Sequence, residues 1–166
     1  METVDVIEID WEGPLASSEV MEKRSEDWDF GVYQIYGTHN VLGPETLLYI
    51  GKAVERPFAQ RVSEHRAEWT EWEASDVRVY LGRIGGLETM TKEGWPDWNA
   101  KIARAERLSI YFCAPPYNSQ GLSSYGQLPP TVVLNYHRRN RLPLEVSTLY
   151  ESSALATKPQ WKPYGK

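Results

Sequence analysis

Short runs of β-branched and aromatic residues, punctuated by glycine and proline, divide the chain into elements. Gly31-Val32-Tyr33-Gln34-Ile35-Tyr36 and Leu47-Leu48-Tyr49-Ile50-Gly51-Lys52 both have strand character, and the stretch 38–46 between them holds Gly43-Pro44. That pattern predicts an antiparallel hairpin with a longish loop. Side chains two apart share a face, so Tyr33 points with Ile35 and Tyr49 with Leu47, and Gly31 and Gly51 leave open space beside each phenol. Pro57 then opens a helix in which Phe58, Val62 and Trp69 recur on one apolar face; Phe58 and Trp69 are read as core. Arg61 and His65, four apart, stack on the same side of that helix, next to the stripe. Residues 77–84 alternate and predict a third strand, closed by Gly85-Gly86. An irregular connection over 87–96 leads to Asp97, which caps a helix running to about Phe112 with Ile102, Ala105, Leu108 and Phe112 as its stripe. Glu106 lies at the edge of that stripe, and Pro115-Pro116 stops the helix.

The ends are less regular. Residues 2–10 alternate imperfectly, and 14–27 predict a short helix with Ser17 or Ser18 as cap. This segment reads as a solvated extension, with shielding of a basic face or contact with a second subunit as the alternatives. Residues 131–136 read as a strand, His137-Arg138-Arg139-Asn140-Arg141 as a basic cluster, 147–156 as a last helix and 158–166 as an extended tail. The expected organisation is an acidic N-terminal extension over 1–30, a core over 31–120 and a basic C-terminal extension over 121–166. The expected fold is α+β, an α/β layer with a small three-stranded antiparallel sheet flanked by helices.

Composition sharpens this picture. With 166 residues, 41% hydrophobic and 12% aromatic, the chain is long enough and apolar enough for one folded domain with a real core. No apolar run approaches a membrane span and no basic-then-apolar leader opens the chain, so no membrane partner is expected and a cytoplasmic location is. The single Cys113 has no partner for an internal disulfide or a thiolate cluster and is read as core. The net charge of −5 runs against nucleic-acid binding, but its distribution does not. Residues 1–30 hold ten Asp and Glu against Lys23 and Arg24, residues 31–166 hold sixteen cations against thirteen carboxylates, and residues 121–166 hold six against two.

Taken together, Gly31-Val32-Tyr33, Tyr49-Ile50-Gly51, Arg61-Val62-Ser63-Glu64-His65, Glu106 in a later helix, and Pro115-Pro116-Tyr117-Asn118 resemble the core of the GIY-YIG nuclease family. The likeness covers about residues 31–120, and its specificity lies in the order and spacing of tripeptides that are each weak alone. Two departures stand out: Val32 replaces the usual isoleucine, and the loop between Gly51 and Arg61 is slightly long. The resemblance implies a metal-dependent DNA endonuclease on double-stranded DNA, leaving 5′-phosphate and 3′-hydroxyl ends. Glu106 would hold one divalent ion, magnesium or manganese, and Arg61 would clamp a phosphate oxygen. Tyr33 is the implied general base. A phenol titrates near about 10, however, so it needs a cation such as Lys52 or His65 beside it. His65 is the alternative base, with Tyr33 orienting the water.

Tyr49 would position water or phosphate, and Asn118 would fix the glutamate or its loop. Arg138, Arg139 and Arg141 are candidates for phosphate tracking. The histidine after the arginine and the absence of an appended DNA-binding module favour a restriction or homing branch, and cutting both strands favours a homodimer. A structure-specific repair or recombination nuclease, a non-catalytic nucleic-acid-binding module and a purely structural domain are the other readings.

Overall fold

Alternation of Ile7, Ile9 and Trp11 with Glu8, Asp10 and Glu12 makes the N-terminal segment a strand inside the sheet and not a solvated extension. A computed structural model describes residues 3–70, 76–85 and 94–151. Its strands are β1 (Asp5–Leu15), β2 (Gly31–His39), β3 (Gly43–Ala53), β4 (Arg78–Ile84), β5 (Thr131–His137) and β6 (Glu145–Ser147). Its helices are α1 (Ser17–Val20), α2 (Phe58–Thr70) and α3 (Trp95–Cys113). The six strands form one mixed sheet in the order β3-β2-β4-β1-β5-β6. β1 runs antiparallel to β4 and parallel to β5.

This corrects the expected three-stranded sheet. The strands 31–39, 43–53 and 78–84 are adjacent at one side, but the two presumed extensions supply the other half of the same sheet. The physical reason is that Ile7, Ile9 and Trp11 of β1 are buried in the core, while carboxylates on and around β1 are matched by cations from other elements. Glu12 pairs with Lys23 at 2.7 Å and Arg83 at 2.8 Å, Arg83 also pairs with Asp29 at 2.7 Å, and Asp5 pairs with Arg104. Burial alone would raise the Glu12 carboxyl; the hydrogen bonds and charges of Lys23 and Arg83 outweigh it and hold the group below its ordinary value.

Other differences are local. The helix expected over 14–27 shrinks to α1, because the chain after it is tied down by Asp29, whose carboxylate accepts from Ser25 N at 2.9 Å and whose carbonyl accepts from Phe58 N at 2.9 Å. The hairpin loop is shorter than expected, leaving only residues 40–42 between β2 and β3. Pro44 fits inside β3 because that strand is at the sheet edge. Gly31 has φ +146°, and a Cβ there would sit 2.0 Å from the Gly82 carbonyl oxygen, so no side chain fits where β2 passes β4.

Apolar layers cover both faces of the sheet. On one, Ile7, Ile9, Trp11, Val32 and Ile50 pack with Ile102, Ala105 and Leu108 of α3. On the other, Tyr33, Ile35, Val79 and Leu81 pack with Phe58 and Val62 of α2. Phe112, expected in the α3 stripe, is exposed and lies edge-on to Tyr111 at 5.3 Å. The Trp69 side chain, Gly86, most of the 87–96 connection, the end of the 147–156 helix and the 158–166 tail lie outside the described residues. No helix among the described residues is long and apolar enough to cross a membrane.

Cys113 is partly buried against the α3 layer, and burial pushes its thiol up to about 11. At pH 8 it should therefore react with a disulfide reagent at least about tenfold more slowly than free cysteine, because the thiolate is the attacking species. Stopped-flow absorbance measures this, and full reactivity before unfolding would contradict it.

Candidate active site

β2 and the edge strand β3 deliver the two tyrosines. Tyr33 stands opposite Gly51 in the ladder and Ile35 opposite Tyr49, so both phenols fall on the α2 side. Their rings are 6.2 Å apart. His65 of α2 completes the group, 4.9 Å from the Tyr49 ring and 6.3 Å from that of Tyr33. Gly51 is the residue that admits the Tyr33 phenol: a Cβ there would lie 2.4 Å from its hydroxyl oxygen and 2.8 Å from Cε1 of Tyr49.

Tyr33 is fully buried, and its hydroxyl has no hydrogen-bond partner among the described residues. Burial pushes this phenol far above its ordinary range, with Tyr49, Glu106 and Glu64 adding to the rise and Arg61 opposing it. In this environment Tyr33 is a neutral phenol, suited to donate a hydrogen bond and unsuited to take a proton.

The opposite face of β3 carries the acid. Lys52 reaches α3, and its Nζ lies 2.5 Å from Oε2 of Glu106. Arg61 ties α2 to the same strand. Its Nε donates to the Lys52 carbonyl at 3.3 Å, and Nη1 pairs with Glu64 at 2.7 Å. Asn118 does not hold the glutamate. Its side-chain amide clasps Ile50, accepting from N at 3.0 Å and donating to O at 2.8 Å, while Tyr117 N donates to the Leu48 carbonyl at 3.0 Å. The turn after α3 thus covers the free edge of β3 as another strand would.

These two groups of residues meet around that edge. Tyr49, Lys52, Glu106 and Asn118 all line one open groove of about 640 Å³. Among the described residues Glu106 is the only carboxylate in its lining, and only its Oε2 has a partner. One carboxylate beside a roomy polar groove fits a hard cation that keeps most of its waters, such as magnesium. Among the described residues no group of three or more His, Cys, Asp or Glu gathers to cage a metal, so the donor set does not fit an ion that needs three or four protein ligands.

The C-terminal cluster lies elsewhere. Arg138 donates from Nη1 to the Gly13 carbonyl at 3.3 Å, Arg139 donates to the Leu142 carbonyl, and Arg141 N donates to the Tyr36 hydroxyl at 3.3 Å. Arg141 lines a separate cleft of about 300 Å³ with Arg78 and Tyr80. None of the three arginines lines the Glu106 groove. Sequence reasoning missed what does line it, namely Arg104 and Arg107 of α3 and the loop after Asn118. The available signals were the position of Arg107 directly after Glu106 and the polar, glycine-containing composition of 118–126.

No protein-family model matches the chain, and no curated protein or solved structure matches it either.

Proposed function

We propose that this chain is a magnesium- or manganese-dependent DNA endonuclease, of restriction type and acting as a homodimer. The observation that supports it is convergence. Tyr49, Lys52, Glu106 and Asn118 line one groove at the covered edge of β3, with Glu106 as its one carboxylate among the described residues, and Tyr33, Arg61 and His65 lie on the α2 side of the same hairpin.

Each side chain has a task that follows from its surroundings. Glu106 would hold the divalent ion, which when bound neutralises charge on the phosphoryl oxygens and eases departure of the 3′ oxygen. Lys52 keeps the empty carboxylate neutralised and would move to a phosphate oxygen when Glu106 takes the ion. Arg61, anchored on the Lys52 carbonyl, presents its remaining donors to the phosphate. His65 takes the proton from the attacking water, because the buried Tyr33 phenol does not ionise readily and serves better as a donor that orients that water. Tyr49, packed against His65 and open to the groove, positions the substrate. Asn118 keeps the β3 edge straight.

A non-catalytic nucleic-acid-binding module is the second reading, favoured by the Lys52–Glu106 pair, which already neutralises the site without metal. One assay separates them. Supercoiled plasmid should be cut to discrete fragments in magnesium and stay intact when the ion is chelated. His65→Ala should lose on the order of 10²-fold or more in rate, and Tyr33→Phe less than that. An intact plasmid in magnesium would leave the binding module as the better account, and random nicking would move weight to a repair nuclease.

A further inference from the structure

We propose that Arg107 and the loop 119–126 form a subsite for a DNA phosphate next to the one that is cut. This inference rests on the nuclease reading for its ligand.

Few cations in the groove are available to a ligand. Within the groove, Lys52 is committed to Glu106 and Arg104 to Asp5. Arg107 is exposed and has no ion pair or hydrogen bond among the described residues. It follows Glu106 directly on α3, so a group bound by both would bridge adjacent parts of one strand. An unpaired guanidinium keeps its full donor fork for a phosphate.

The facing wall is built to come close. Gly121 and Gly126 have φ of +80° and +71°, a backbone region that favours glycine. A Cβ on Gly121 would be 3.2 Å from Ile110 Cγ2, and one on Gly126 would be 3.5 Å from Nη1 of Arg107. The two glycines therefore bring the loop against α3. Tyr125 anchors it, edge-on to Tyr111 at 5.1 Å and nearly buried. Ser119, Gln120 and Ser124 are left lining the groove, neutral donors of the kind that position a phosphate without reading sequence. The clasp of Asn118 on Ile50 fixes where this wall starts. By contrast, Arg138 bonds to the Gly13 carbonyl and lines a cleft beside it, Arg139 bonds to the Leu142 carbonyl, and Arg141 lines a third cleft with Arg78 and Tyr80.

The test measures binding and cleavage separately. A fluorescein-labelled DNA duplex is titrated by anisotropy in chelator across a salt series, using wild type, Arg107→Ala, Arg107→Lys and, as a surface-charge control, Arg24→Ala. Arg107→Ala should bind about tenfold more weakly, and its slope of log affinity against log salt should fall by about one. Arg107→Lys should recover much of the affinity, and Arg24→Ala should leave both quantities unchanged. In magnesium, Arg107→Ala should raise KM and leave kcat near wild type. Wild-type affinity and salt slope for Arg107→Ala would overturn the subsite whatever the cleavage assay shows. Wild type that binds but never cuts, with Arg107→Ala still weakened, would sink the nuclease reading and keep the subsite.

Discussion

Glu106→Ala should cleave plasmid DNA on the order of 10³-fold more slowly than wild type in saturating magnesium, since several kcal/mol of charge stabilisation in the transition state depend on the ion it holds. Its stability should hardly change. The Lys52–Glu106 pair is partly exposed, with side-chain exposures of 36% and 15%, and such a pair contributes at most about 1 kcal/mol. Lys52, freed from its partner, can swing into the groove and remain hydrated. Affinity for DNA in chelator should rise, because the groove loses the Glu106 carboxylate and keeps Lys52, Arg104 and Arg107. Tighter binding together with lost cleavage is a signature that a folding defect does not produce. Equal cleavage by the variant, or a collapse of its melting temperature, would remove Glu106 from the role of ligand.

What the sequence made legible follows the strength of each local period. The strands 31–39, 43–53 and 78–84 and the helix 95–113 lie within a few residues of their expected bounds, because a β-branched and aromatic run, alternation or a 3.6 repeat marked each. β1 was obscured by its own polar face, where Glu8, Asp10 and Glu12 look like a solvated acidic tail until Arg83 and Lys23 are seen to meet Glu12. The parallel pairing of β1 with β5 joins residues more than a hundred apart, and no local pattern encodes which strand will be a neighbour. Asn118 was legible as a site residue but not in its function, since its partner is the backbone of Ile50 and backbone groups carry no sequence signature. Arg107 was overlooked because an arginine on a helix is ordinarily solvated; only the approach of the Gly121–Gly126 loop sets it apart.

Gly51→Ala tests the tyrosine side of the site and should be clearly destabilising. The added methyl would lie 2.4 Å from the Tyr33 hydroxyl oxygen and 2.5 Å from Cζ, well inside contact distance. Tyr33 is fully buried, packed with Ile35, Phe58 and Val62, so its ring has no solvent to swing into. Overpacking of this kind costs roughly 1–3 kcal/mol, which for a chain of this length lowers the melting temperature by several degrees. Cleavage should fall further than stability alone explains, since the methyl also displaces Tyr49, which lines the groove. A double-mutant cycle separates contact from backbone effects: in a Tyr33→Ala background the same methyl meets only the Tyr49 ring, which lines the groove and can shift, so Gly51→Ala should there cost much less in calorimetry. Equal costs in the two backgrounds would mean that Gly51 acts through the β3 backbone and not by making room for the phenol.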